Sequence, residues 1–485
     1  MTDTGWLAIA ALLLHWTLVI GLSARVIMRR RPLGILLAWI ALILSLPVVG
    51  VVLYLFVGEN RVSKKYLRRA KMIHEQYSRW KRSLGNTSTI DWSLISPAAR
   101  SLHRQAQLLV GFPALPGNRL ELLEDYERVF GALIDDIRRC RGSCHLEFYI
   151  LHAGGLVDTL LGALIDAAKR GVVCRLLLDA VGSKPFLGSA KAAQLEAAGV
   201  EIAVALPVSP LTAFLSRADL RNHRKIAVID AETAYTGSQN LVDPRFFKQD
   251  EGVGQWVDAM VRIEGPSVAA MAGTFAQDWE IVTGRCLQDF GTETAVERAE
   301  QSGSAVVQWV PSGPQPKPLA IQQLVLSTLY SAQERLIITT PYFVPDESIL
   351  TALVSAAHRG VDVTLVIPAK NDSRLVDYAS RAVFDDLLEA GVHIAAFNGG
   401  LLHTKSITVD GELCLFGSLN LDMRSLWLNF EISLFIYDNA VTSRICEMQL
   451  AYLERSDLID VTACQQRPFA RRFLENAVHL LAPLL

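Results

Sequence analysis

The sequence predicts an α/β protein in which two similar α/β sandwich halves share one cleft, preceded by an N-terminal transmembrane helical hairpin. Three observations predict it. Two charge-free apolar runs open the chain, the segments 160–179 and 349–368 repeat a helix, a Gly turn and a strand, and one eighteen-residue stretch is written twice. The expected layout is two membrane helices in 1–60, a basic juxtamembrane linker in 61–120, a first half in 121–290 and a second half in 300–485.

Residues 5–24 and 33–57 contain no Asp, Glu, Lys or Arg. At about 1.5 Å per residue each run covers about 30 Å or more, the thickness of a bilayer core. A cleavable signal peptide fits the first run poorly, because MTDT offers no basic n-region and the second run follows close behind RRRP. The connection carries Arg25, Arg29, Arg30 and Arg31, and the far side carries Arg61, Lys64, Lys65, Arg68, Arg69 and Lys71, a balance that puts the catalytic part in the cytoplasm. Seven cysteines without pairing spacing suit a reducing compartment. The basic stretch 61–82, with Tyr66, Met72, Tyr77 and Trp80 interleaved, reads either as a helix on anionic headgroups or as a solvated linker helix.

Alternating strands and amphipathic helices define each half. LLGALIDAAKRGVVCRLLLD parallels ILTALVSAAHRGVDVTLVIP, and QLEAAGVEIAV parallels DLLEAGVHIAA. Before its motif the first half carries the longer PVSPLTAFLSRADLRN, where the second has FNGGLL. Leu211, Phe214 and Leu215 make that insert apolar enough to line an acyl-chain entrance, to dip into a bilayer, or to pack as a core helix. The C-terminal RPFARRFLENAVHLLAPLL poses the same choice, and a packed helix near the membrane is favoured.

The repeated stretch is HRKIAVIDAETAYTGSQN at 223–240 and HTKSITVDGELCLFGSLN at 403–420. Each copy reads as strand, tight turn, strand. Side chains two apart share a strand face, so His223 and Lys225 project together, as do His403 and Lys405; Ser238 with Asn240 and Ser418 with Asn420 do the same on the returning strands. A lone His-x-Lys carries little information. Burying His, Lys and Asn twice in register on apolar strands is costly unless a ligand satisfies them, and ammonium and amide donors around two imidazoles suit phosphate. Asp230 and Asp410 either face the ligand or stabilise the turns, and the structural role is favoured. Glu251 lies 28 residues after His223, and Glu431 lies 28 after His403. Each reads as the carboxylate orienting a histidine, although Glu251, in KQDEG, also reads as a surface residue.

The pattern H-x-K-x4-D-x6-G-S-x-N, written twice, resembles the phospholipase D superfamily. RNHRKIAVIDAETAYTGSQNLVD, TTPYFVPDE and MRSLWLNFEISLFIYD resemble its bacterial cardiolipin synthase branch, over roughly 120–485 and with two membrane spans at the amino terminus. The resemblance implies a multi-pass protein of the bacterial inner membrane, with two phospholipase D-like halves, that converts two phosphatidylglycerols to cardiolipin and glycerol. One imidazole then becomes a phosphohistidine and the other protonates the departing glycerol and deprotonates the incoming alcohol. The resemblance points to His223 as nucleophile, while the symmetry of the copies leaves the assignment open. A phosphodiesterase using water would share every one of these residues. The partners expected are phosphatidylglycerol, other anionic lipids and the membrane, with the oligomeric state open. A formal net charge of −2 and 51% apolar content argue against a nucleic-acid groove. No cofactor is called for: without HExxH or a Cys-x2-Cys pair there is no metal motif, and Lys225, Lys405, Asn240 and Asn420 would meet the phosphate charge.

Overall fold

Pro47 divides what the hydropathy pattern joins. The charge-free run 33–57 folds as two helices, Leu33–Ser45 and Pro47–Val57. Proline has no N–H to give and disfavours helical geometry at the residue before it, and Leu46 accordingly sits at φ −130°, ψ 72°. At about 1.5 Å per residue the pieces are about 20 and 16 Å long, so the second run is broken at Pro47 where one continuous helix was expected. The first run forms the helix Asp3–Ile27. Among the described residues no helix is long and apolar enough to cross a membrane. Val19, Val26, Ile43 and Tyr54 form a small core between these helices, and Arg25 pairs with the buried Glu59 at 2.6 Å.

The computed structural model describes residues 3–28, 33–59, 62–85, 90–93, 95–207, 217, 219–287, 302–314, 317 and 319–482. It divides into a unit of Met1–Arg68 with Val208–Leu220 and a unit of Arg69–Pro207 with Arg221–Leu485. Leu211, Phe214 and Leu215 of the apolar insert lie outside the described residues.

The larger unit is built on one fifteen-stranded sheet, and its strand order makes the duplication visible. Two antiparallel strands, Ala114–Leu123 and Ala305–Ser312, meet at the centre. Outward from the first run Met260–Glu264, Thr233–Gly237, Lys225–Ile229, Ser143–Phe148, Val173–Asp179 and Glu201–Ala205. Outward from the second, in the same order, run Glu431–Ile436, Leu413–Gly417, Ser406–Val409, Arg335–Thr339, Asp362–Pro368 and His393–Phe397, with Ser456–Leu458 added at the edge. In each half the three strands beyond the motif hairpin are parallel, joined through helices such as Leu156–Lys169 and Glu347–His358, and the edge strand Ser456–Leu458 pairs antiparallel; the motif strands are antiparallel hairpins. Helices cover both faces, which explains why the strands read as unbroken apolar runs.

Two parts of the expected layout shift. Strand Ala114–Leu123 starts inside the stretch 61–120 read as linker and runs on past it, so the sheet begins earlier than 121. Within the larger unit, the part of the basic helix Lys64–Leu84 from Arg69 onward packs through Tyr77, which donates to Glu280, and Trp80, which lies edge-on to Phe112. At the C-terminus, helix Phe469–His479 packs on helix Arg374–Arg381.

The hairpin turns explain the motif aspartates. Asp230 and Asp410 sit at the ends of their strands farthest from the histidines, both with left-handed backbones at φ 52° and 53°. Asp230 accepts from the backbone N–H groups of Arg141, Gly142 and Ser143, and Asp410 from those of Gln333, Glu334 and Arg335. Each carboxylate satisfies the donors that open the neighbouring strand, so neither faces the cleft.

Candidate active site

Each half delivers its histidine to the other half's carboxylate. Asn222 bridges to Phe430 in parallel, with the His223 N–H donating to the Phe430 carbonyl at 2.8 Å. Leu401 and Leu402 likewise pair with Trp256 and Val257, and the His403 N–H donates to the Val257 carbonyl at 2.8 Å. These two short crossings set each histidine beside the residue that follows its backbone partner on the opposite half. His223 Nδ1 lies 2.8 Å from Glu431 Oε2, and His403 Nδ1 lies 2.6 Å from Asp258 Oδ1. All four side chains are buried.

Glu251 is not one of them. It sits on an exposed turn, Gln249–Glu251, where its carboxylate faces Lys248 at 3.1 Å. Asp258 takes the place its spacing suggested, 35 residues after His223, because the first half makes a longer excursion before its last strand. The signal that finds it is local: Asp258 lies just ahead of an apolar strand that Met260 opens and, like Glu431, two residues before the residue paired with the motif glycine, Gly237 with Met260 and Gly417 with Ser433.

That glycine has a reason. A Cβ at Gly237 would strike the Ala259 carbonyl, and one at Gly417 the Ile432 carbonyl. The close approach lets Ser238 and Ser418 lock onto the carboxylate-bearing strands: the Ala259 N–H donates to Ser238 Oγ at 3.1 Å and the Ile432 N–H to Ser418 Oγ at 2.9 Å. Ser418 Oγ also donates to Glu431 Oε2 at 2.6 Å. The serines, expected to bind ligand, thus sit behind the carboxylates.

The lysines point into the same region. Lys225 Nζ donates to the His223 carbonyl at 2.8 Å, and Lys405 Nζ to that of His403. Burial pushes Lys225 down to about 8 and Lys405 well below its usual value, against the pull of Glu431 and Asp258. Burial likewise holds each imidazole at about 4, the facing carboxylate opposing it. For Glu431 and Asp258 burial is the largest influence and pushes upward, but the facing histidine and the neighbouring lysine act together against it and both stay below the usual carboxylate range. Asn240 Oδ1 accepts from the Ile150 N–H at 3.2 Å, while its buried Nδ2 has no hydrogen-bond partner. Asn420 Nδ2 donates to Ser425 Oγ at 3.3 Å. A buried cluster of cationic and amide donors around two imidazoles is short of one thing, an anion.

Three aromatic rings that the motifs did not single out close the site. Tyr149 lies 5.0 Å from the His223 ring, Trp256 lies 4.4 Å from the His403 ring, and Tyr342, whose hydroxyl donates to Asp372, lies 6.5 Å from it.

A duplicated sheet holding one shared pair of histidines marks a phospholipase D-like fold, and the crystal structure of phosphatidylserine synthase from Haemophilus influenzae shares it: TM-score 0.60 at 15% identity, over 79% of this chain and 100% of that one. A family model described as cardiolipin synthase, PLD-like domain matches residues 133–279 and 325–449, and one described as phospholipase D-nuclease N-terminal matches 17–59. Over 484 residues, 100% of this chain and 99% of each relative, the sequence is 44% identical to cardiolipin synthase A of Salmonella arizonae and of Salmonella paratyphi B. The chain belongs to the cardiolipin synthase family of the phospholipase D superfamily.

Proposed function

We propose that this protein transfers a phosphatidyl group from one phosphatidylglycerol to the hydroxyl of another, forming cardiolipin and releasing glycerol. The crossed histidine–carboxylate pairs carry the reading: with each Nδ1 committed to a carboxylate, each Nε2 is the nitrogen available for chemistry. His223 Nε2 attacks phosphorus as the P–O bond to glycerol breaks, and His403 gives the leaving oxygen its proton. The acceptor hydroxyl then returns a proton to His403, its oxygen bonds to phosphorus, and the P–N bond breaks. Lys225, Lys405, Asn240 and Asn420 hold the non-bridging oxygens. Asp230 and Asp410 serve the fold.

The surroundings of the carboxylates support this division of roles. Glu431 accepts from His223, Ser418 and Asn429, the last at 3.2 Å, so its charge is shared among three donors. Asp258 takes His403 at the shorter distance, and its other oxygen is buried without a donor. The less satisfied carboxylate is the stronger base toward its histidine, which suits His403 to carry the proton.

The apolar N-terminal helices hold the enzyme to a bacterial inner membrane, both runs spanning it, with the catalytic unit on the cytoplasmic side as the arginine and lysine balance favours. Reconstitution with labelled phosphatidylglycerol tests the reaction: cardiolipin with stoichiometric glycerol supports transfer, and phosphatidic acid in its place makes the enzyme a hydrolase.

A further inference from the structure

Helix Phe469–His479 shows two opposed faces. Inward, Val478 and Glu475 are buried; Glu475 is held by Arg467 at 2.6 Å and Arg471 at 3.1 Å, and His479 Nδ1 reaches the Ala379 carbonyl at 3.2 Å on helix Arg374–Arg381. Outward, at spacings of four and seven, stand Phe469, Phe473 and Leu480, which are 83%, 65% and 78% exposed. The two phenyl rings stack 6.2 Å apart. Scattered apolar side chains on a surface need no explanation, but an aromatic pair and a leucine aligned on one helix face do. Arg472 borders the stripe and is about half exposed, whereas Arg471 turns towards the buried Glu475.

The position of this helix gives the stripe a context. Its platform, Arg374–Arg381, is tied to the rim of the site: Ser380 Oγ donates to the Phe343 carbonyl at 2.7 Å. Just before the platform, Asn371 donates to the Pro341 carbonyl at 2.8 Å and Asp372 accepts from Tyr342, the ring that flanks His403.

We propose that this helix lies in the surface of an anionic bilayer, with Phe469, Phe473 and Leu480 at the headgroup–acyl boundary and Arg472 among the phosphates. An apolar stripe bordered by Arg472 matches that interface on both counts, apolar burial and charge. The proposal rests on the lipid-transfer reading only for its purpose: the helix seats the His403 side of the cleft where two-chain substrates reside.

The test uses the full chain in vesicles containing phosphatidylglycerol. In a Cys286→Ser background, which removes the exposed cysteine among the described residues, Phe473→Cys carries an environment-sensitive fluorophore. Glu232→Cys, on the hairpin turn away from the histidines, is the control. The label at 473 should shift to the blue and be quenched by nitroxide lipids, with the effect weakened by salt and by zwitterionic lipid, while the label at 232 stays in water. Equal behaviour at both positions overturns the proposal, as does a label at 473 that is shielded from water yet untouched by lipid quencher and shows concentration-dependent transfer between copies. The pair Phe469→Ser and Phe473→Ser should lower kcat/KM several-fold on vesicles and leave turnover of a monomeric short-chain phosphatidylglycerol unchanged. Equal loss on both substrates makes the helix merely structural and overturns the idea. Should the wild type turn over neither substrate, the reaction reading fails while the quenching result still decides the placement of the helix.

Discussion

The two halves repeat the groups that face the cleft and differ in what stands behind them. Behind His223 the backing is charged: Arg224 pairs with Asp278 and donates to the carbonyls of Glu431 and Ser312, and Asn222 donates to the fully buried Glu147, whose carboxyl burial pushes well above its usual value. Behind His403 the backing is neutral. Thr404 holds the Val257 carbonyl and meets the Tyr452 hydroxyl, and Gln449 bonds Thr408, Thr339 and Ser406. A duplicated site thus keeps the donors that a ligand sees and diverges one layer back, where the pull on each histidine is set. The charged layer is tied to the backbone of Glu431, the carboxylate that faces His223.

The largest expected effect treats the halves alike. His223→Ala and His403→Ala should each lower turnover by about 10,000-fold or more, because neither attack nor leaving-group protonation has a substitute nearby. They part in one measurement: enzyme quenched in alkaline denaturant and analysed by mass spectrometry without acid should carry its phosphatidyl adduct on residue 223. An adduct on residue 403 would reverse the roles and make Glu431 the partner of the acid.

The carboxylates separate the halves by pH. Asp258→Asn and Glu431→Gln should each cost about 100-fold or more in kcat, whereas Glu251→Gln should match wild type. Only Asp258→Asn should move the alkaline limb of the kcat profile to lower pH, since His403 must hold a proton in the complex and loses the charge that keeps it there. In the free protein both imidazoles, at about 4, are neutral at pH 7. A bound anion raises them, so binding of inorganic phosphate should take up about one proton, and affinity should fall as pH rises. Calorimetry in buffers of different ionisation enthalpy measures the uptake; its persistence in Asp258→Asn would place the proton elsewhere.

The backing layers predict a difference in stability. Arg224→Met leaves the part-buried Asp278 without its ion-pair partner and should destabilise the protein by about 3 kcal/mol. Thr404→Val loses one neutral network contact and should cost about 1 kcal/mol. Comparable losses, read from thermal melts of the two variants, would erase the distinction between charged and neutral backing.

How far the sequence anticipated this arrangement depends on locality. The motif strands, the helix–strand repeats and the convergence of both histidines were legible because period and offset report the strand face directly. Glu431 was legible as a carboxylate costly to bury in an apolar strand. Asp258 was not, because its distance from His223 absorbs a loop whose length no strand pattern constrains. The crossing of partners was equally hidden, since parallel bridges such as Asn222 to Phe430 join residues more than 200 positions apart. The break at Pro47 was written in the chain, but a hydropathy average passes over a single proline.

The smallest effect concerns the turns, where the copies differ by one methyl group. Residues Ala231 and Gly411 both adopt left-handed backbones, at φ 55° and 71°. Glycine reaches that region without strain, whereas for alanine the Cβ crowds the following carbonyl at about 1–2 kcal/mol. Glycine also loosens the unfolded chain, which returns about 0.4–1 kcal/mol of the gain. Ala231→Gly should therefore raise stability by about 0.5 kcal/mol, and Gly411→Ala should lower it by a similar amount. Both turns lie at the hairpin ends away from the histidines, with Asp230 and Asp410 holding the neighbouring strands, so kcat and KM should not change in either variant. The double variant exchanges the two residues between the copies, and because the turns share no partner its effect on the melting temperature should be the sum of the singles, close to zero. A clear departure from that sum would mean that the two turns sense each other through the shared sheet, and the halves would then have to be treated as one cooperative body even where their local chemistry differs.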